Sequence, residues 1–202
     1  MNIGIDIDDT INDLLEIKFT YMQDYIANVL KREIKLENLE AFTNTDKKYL
    51  EIMHGLNKFE MNEFLELYYE KMISEVKPKT LAVNTINNLK SDGNKIIIIT
   101  TRHSINEIDI YNITETWLNK NGILFDKLFV TDNKKQIVEQ ENVEIFIDDK
   151  YKLCSNMPSN VITFLFQSLK NYNIDLYGTN ITRVYSWPHV YQKIKQIESL
   201  ET

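Results

Sequence analysis

Three aspartates crowd the start of the chain, Asp6, Asp8 and Asp9, and Thr10 follows them. An apolar run, Ile3–Ile7, leads into them, and such a run reads as a buried strand of a parallel sheet. Acids at that strand's carboxyl tip stand where open α/β sheets take ligands, in the crevice beyond the strand ends. Carboxylates this close repel one another and resist desolvation, so the group calls for a cation. A second run, Val143–Ile147, also ends in paired acids, Asp148 and Asp149. Two strand tips that face each other with carboxylates are a magnesium site in outline.

Positioning such tips needs a sheet. Five runs have strand length: Ile3–Ile7, Lys95–Thr100, Lys127–Val130, Val143–Ile147 and Val161–Phe166. The spacers carry helical periodicity. Thr80–Lys90 sets Leu81, Ile86 and Leu89 on one face before Asp92-Gly93 closes it. Glu107–Lys120 carries Ile108, Tyr111, Trp117 and Leu118, and Asn121-Gly122 follows; Lys134–Gln140 makes a short third helix. Strands alternating with helices predict an α/β class, a Rossmann-like, mostly parallel sheet with helices on both faces. Residues 13–77 are too long for one crossover. They read as helices over Glu16–Leu30, Asp46–Leu56 and Glu60–Ser74, with Phe59, Phe64, Tyr68 and Tyr69 as a small core of their own. Pro78 marks the return. The expected division is therefore a core of residues 1–12 and 78–202 with a small α-helical cap, 13–77, over the acids like a lid.

Composition narrows the partners. The chain has 202 residues, 43% of them hydrophobic, and a net charge of -7. That balance argues against a nucleic-acid polymer as ligand. The single Cys154 excludes an internal disulfide and fits a reducing compartment. The first strand begins at once, which leaves no room for a signal peptide, and no apolar run approaches the ~20 residues that span a bilayer. The expectation is a cytoplasmic protein with no membrane partner.

Asp6-Ile7-Asp8-Asp9-Thr10 resembles the first motif of the haloacid dehalogenase (HAD) superfamily, Asp-x-Asp-x-Thr. Ile96–Thr100 resembles the second motif, Lys134 the third and Asp148-Asp149 the fourth, all in order. Thr100-Thr101-Arg102, Thr116-Trp117-Leu118, Asn121-Gly122-Ile123, Ile145–Asp149 and Arg183–Trp187 are similar to the nucleotidase-like branch, which includes 5'(3')-deoxyribonucleotidases. The resemblance implies a phosphatase that uses Mg²⁺ on a small phosphorylated substrate, a nucleoside monophosphate first. A sugar phosphate or another small metabolite is the alternative, as is an idle binding or regulatory protein on the same fold.

The chemistry assigns roles. Phosphoryl transfer needs an in-line nucleophile, screening of the phosphate and a proton for the leaving oxygen. Asp6 is the expected nucleophile. Asp8 is the expected general acid and then base, with its pKa raised by the neighbouring acids. Mg²⁺ is expected on Asp6, Asp148 and the backbone carbonyl of Asp8, with Asp149 and Asp9 in supporting places. Thr100 would donate to the phosphate, with Thr101 as the alternative. Lys134 would screen Asp6 and the phosphate, with Lys135 as its competitor; at ~4 Å and an effective dielectric of ~20 such a pair is worth ~4 kcal/mol. Arg102 would meet a substrate anion or cap a helix.

Overall fold

A computed structural model describes residues 1–35, 53–105 and 107–200. Six strands, all parallel, form one sheet: β1 (Asn2–Ile5), β2 (Lys95–Thr100), β3 (Lys127–Val130), β4 (Ile145–Asp148), β5 (Ile162–Phe166) and β6 (Ile181–Val184). Their order is β3-β2-β1-β4-β5-β6, a doubly wound sheet of the Rossmann type.

The isoleucine runs are continuous because both sheet faces are covered. Ile3, Ile5, Ile96 and Ile98 pack on one face against Ala82, Ile86 and Leu89 of α3 (Ala82–Ser91). Trp117 and Leu118 of α4 (Ile110–Lys120) and Val190 and Ile194 of α7 (Trp187–Glu198) complete that layer. Ile97, Ile99 and Phe146 pack on the other face with Val138 of α5 (Lys134–Gln140). Gly4 of β1 faces that second layer, where a Cβ would come within 3.1–3.2 Å of Val143, Ile99 and Phe146. A larger residue there would push apart the strand that carries the first acids. A single turn of helix, α6 (Tyr151–Cys154), follows β4 and buries Cys154 against Leu165 and Ile181.

Between β1 and β2 the chain builds a helical insert. It contains α1 (Leu14–Asp24), a π-helical turn over Tyr25–Val29, and α2 (Lys58–Glu75). Asn57 and Glu60 form a capping box at the start of α2. Leu15, Met22, Tyr25, Met61, Phe64 and Met72 make a separate apolar cluster there. Most of the expected helix Asp46–Leu56 lies outside the described residues. The two connections run side by side. Asn12 bridges antiparallel to Pro78, and Lys79 N–H donates to the Ile11 carbonyl at 2.7 Å. Two buried indoles pin these connections to the core: Trp117 Nε1 donates to Val76 O (2.6 Å) and Trp187 Nε1 to Thr10 O (3.1 Å).

Three elements go beyond the sequence expectation: α6, β6 and α7. β6 is a short edge strand, Ile-Thr-Arg-Val, with only its end residues buried, so it lacks the apolar run that marks a central strand.

Candidate active site

Register brings the acids together. Ile5 pairs with Ile98 of β2 on one side and Ile147 of β4 on the other. One residue on, the Asp6 N–H donates to Ile147 O at 2.9 Å. The direction of winding reverses between β1 and β4, and doubly wound sheets bind ligands at that point. Asp6 leaves β1 there, Thr100 ends β2, Asp148 ends β4 and Lys134 opens α5; all four are buried.

Lys134 Nζ lies 2.7 Å from Asp6 Oδ1 and 2.7 Å from Asp148 Oδ2. Burial disfavours the ammonium, but the two carboxylates outweigh it and hold the lysine above its ordinary range. Of the two adjacent lysines, Lys134 is the one brought to the acids, while Lys135 is exposed. Oxygens of Asp6, Asp148 and Asp149 all lie within 4.8 Å of one another. Burial raises Asp148, Lys134 pulls it back, and the Asp6 charge raises it again, leaving it above the usual carboxylate range. Burial pushes Asp149 up to about 8; Lys170 opposes this, while Asp9 and Asp148 add to it.

Two buried oxygens of this cluster, Asp6 Oδ2 and Asp149 Oδ1, have no hydrogen-bond partner among the described residues. Each such group costs about 1–3 kcal/mol, more when charged. Two of them beside a third carboxylate form an all-oxygen donor set that fits a hard divalent cation such as Mg²⁺. Asp149 thus joins Asp6 and Asp148 directly, whereas the sequence reading gave it a supporting place. The Asp8 carboxylate points elsewhere.

Asp8 is clamped. Arg102 Nε donates to its Oδ2 (3.0 Å), Arg102 Nη2 to its Oδ1 (2.6 Å), and Asn12 Nδ2 to the same Oδ1 (3.1 Å). Burial alone would raise the Asp8 pKa, but the Arg102 charge and hydrogen bonds outweigh it and hold the group below its ordinary value. This corrects the expectation that neighbouring acids push Asp8 upward: the nearest charge is a cation. Arg102 is itself buried, and its Nη1 donates to Thr114 Oγ1 at 3.2 Å. In this structure it therefore meets the acid/base candidate. Thr100 Oγ1 is buried with no hydrogen-bond partner among the described residues, while Thr101 Oγ1 donates to Thr131 O at 2.8 Å.

Sequence reasoning missed Ser168 and Lys170 at this site, whereas it placed Asp9 in a supporting role and Tyr69 among the aromatic residues of the insert. Tyr69 of α2 feels the charges of this pair from the insert; burial and the Asp8 charge push its phenol up to about 12, against the Arg102 charge and a hydrogen bond from the His103 backbone. Asp9 takes a left-handed backbone (φ 63°), which aspartate tolerates better than most residues. Its carboxylate pairs with Lys170, and Ser168 Oγ donates to Asp149 Oδ2 at 3.3 Å. A cleft of about 730 Å³ opens on this side between α1 and residues 167–172, lined among others by Asp9, Glu16, Phe19, Gln167 and Tyr172. Nothing in the local sequence around Ser168 or Lys170 marks them, since only the fold carries them to the acids.

The chain is similar in fold to several solved structures. A protein described as a predicted phosphatase from Clostridium acetobutylicum matches at 16% identity and a TM-score of 0.64, covering 96% of this chain and 98% of that one. A HAD-superfamily hydrolase of subfamily IA, variant 1, from Geobacter sulfurreducens matches at 12% identity and a TM-score of 0.62, over 96% and 95%. A HAD-type protein from Bacillus subtilis in a magnesium-bound form matches at 13% identity and a TM-score of 0.60, over 96% and 97%. No curated protein matches the sequence significantly. The family model of the cytosolic type C pyrimidine deoxy 5' nucleotidase proteins matches residues 1–199. With its HAD fold and its ordered acids, this phosphatase belongs to the cytosolic type C deoxy 5' nucleotidase family.

Proposed function

We propose that this phosphatase is a Mg²⁺-dependent phosphomonoester hydrolase that works through an aspartyl-phosphate on Asp6, with a nucleoside monophosphate as its first substrate class. The observation that carries the reading is the state of Asp6. One carboxylate oxygen is tied to Lys134, while the other is buried and has no hydrogen-bond partner among the described residues.

A carboxylate oxygen of Asp6 attacks phosphorus, the bond to the leaving alcohol breaks, and an acyl phosphate forms on Asp6. Asp8 gives the leaving oxygen its proton, then takes one from the water that attacks the acyl phosphate and releases inorganic phosphate. Arg102 holds Asp8 ionised, the form the base step needs. The acid step needs a proton, and a doubly charged phosphate beside Asp8 favours its uptake. Thr100 donates to a phosphate oxygen, and Lys134 holds Asp6 in place while offsetting charge. Asp6, Asp148, Asp149 and the Asp8 backbone carbonyl would hold Mg²⁺, which supplies charge neutralisation between nucleophile and phosphate. Arg102, if released from Asp8, and Thr101 are the remaining candidates for substrate contact. Residues 13–77 act as a lid on the core of 1–12 and 78–202 and restrict the site to small esters. The family match supports the nucleotide class and a cytoplasmic setting, and the magnesium held by the Bacillus subtilis neighbour supports the metal.

The test is a panel of nucleoside monophosphates and sugar phosphates, ranked by kcat/KM with Mg²⁺ and with EDTA. The reading expects nucleotides to lead and EDTA to abolish turnover. A lead for sugar phosphates overturns the substrate class, and equal rates in EDTA overturn the metal.

A further inference from the structure

Asn12 stands where the chain leaves the core for the helical insert, and it is fully buried. Its amide oxygen accepts from the Asp9 N–H (3.1 Å) and the Leu14 N–H (3.2 Å). Its amide nitrogen donates to Asp8 Oδ1 at 3.1 Å. Two backbone N–H groups can be met only by an oxygen, so the amide has one orientation, and its N–H₂ end faces Asp8. The backbone of Asn12 is fixed as well. Its N–H donates to Ile7 O at 3.2 Å, and the residue bridges to Pro78 on the returning connection.

Leu14 is the first residue of α1, and its N–H is one of the donors a helix start leaves unpaired. Asp13 occupies the N-cap position but makes no capping hydrogen bond, because its carboxylate is paired with Lys79 instead. Asn12 takes over that duty for Leu14. Asp9 does the same for the next residue, accepting from the Leu15 N–H at 2.7 Å while also pairing with Lys170. The start of the insert is therefore capped by the loop that carries the acids.

We infer that Asn12 is a positioning residue that ties the Asp8 carboxylate to the first turn of α1. The inference rests on the reading of Asp8 as acid/base. Arg102 grips both Asp8 oxygens from the β2 side, and Asn12 grips one of them from the insert side, so the carboxylate is fixed from two directions. A shift of α1 relative to the core pulls on Leu14, then Asn12, then Asp8.

The experiment compares Asn12→Asp with wild type on two esters of similar size, phenyl phosphate and 4-nitrophenyl phosphate. The quantity is kcat/KM, which covers the steps up to departure of the leaving group. Asp at this position keeps the acceptors for Asp9 and Leu14, loses the amide donor to Asp8 and sets a like charge beside it. A displaced acid harms the poor leaving group most: the expected loss is roughly 10²-fold for phenyl phosphate and about threefold for 4-nitrophenyl phosphate. A purely structural cap would lower both equally, so equal losses, or no loss in a folded variant, overturn the inference. No turnover of either ester by wild type in Mg²⁺ sinks the reading of Asp8, and the inference with it. Asn12→Ser, which removes the amide donor without adding a charge, repeats the comparison, and it carries the test alone should Asn12→Asp fail to fold by circular dichroism.

Discussion

Replacing Lys134 by methionine isolates the charge balance on which the site depends. The ammonium makes two contacts of 2.7 Å to buried carboxylates. At an effective dielectric of ~20, each is worth about 6 kcal/mol of Coulomb energy. Burying the ammonium costs several kcal/mol, so the net loss on breaking such a buried group is about 3–5 kcal/mol. For a chain of this size each kcal/mol moves Tm by roughly 2–4 °C, so Lys134→Met should unfold about 6–20 °C lower in EDTA. The deficit should grow with pH. Without the lysine the acid cluster binds a proton on folding, and a group that gains protons on folding loses its contribution as pH rises. Added Mg²⁺ should restore more Tm to the variant than to wild type, because only the variant lacks a cation there. Thermal melts from about pH 6 to about pH 9, with Mg²⁺ and with EDTA, read all three effects. A variant within about 2 °C of wild type in EDTA, or one that Mg²⁺ helps no more than wild type, would refute the reasoning.

Other outcomes follow from the same geometry. Asp8→Asn should cost ~10²–10⁴ in kcat/KM for nucleoside monophosphates and much less for 4-nitrophenyl phosphate; equal losses would remove Asp8 from proton transfer. Asp149 has a folded pKa of about 8 against an ordinary 3.8, so its contribution is complete below 3.8 and fades as pH rises through about 8. Metal-free wild type should therefore lose Tm with rising pH more steeply than Asp149→Asn, and parallel curves would contradict the assignment. Trp117→Phe strands the Val76 carbonyl at the insert connection, and an unpaired buried acceptor costs about 1–3 kcal/mol beside any cavity. An unchanged denaturation midpoint would show that the indole does not anchor that connection.

What the sequence made legible depended on how local each signal was. The central strands and the acids at their tips announce themselves, because isoleucines buried on both faces make unbroken runs and the aspartates follow directly. Lys134–Gln140 was readable to the residue, and Asn133 caps it by accepting from the Gln136 N–H. α7 goes beyond the sequence expectation although it carries a start signal of its own, with Ser186 capping it through the His189 N–H and Pro188 in its first turn. β6 left no such trace. The Asp8–Arg102 pair joins residues 94 positions apart, and no spacing rule links them; crowding by acids was visible locally, while the cation that reverses its effect was not. Asn12 carries no local signal, and its place between Asp8 and Leu14 exists only once the insert is folded.

The central claim is that Asp6 carries the phosphoryl group. An acyl phosphate is reduced by borohydride and an ordinary aspartate is not, so acid-quenching the enzyme during turnover of a nucleoside monophosphate and then reducing it marks the residue that was phosphorylated. Peptide mass spectrometry should find homoserine at position 6 in wild type, none without substrate, and none in Asp6→Asn, which should also be inactive. Homoserine at another aspartate, or continued turnover with position 6 unmarked, would contradict the account.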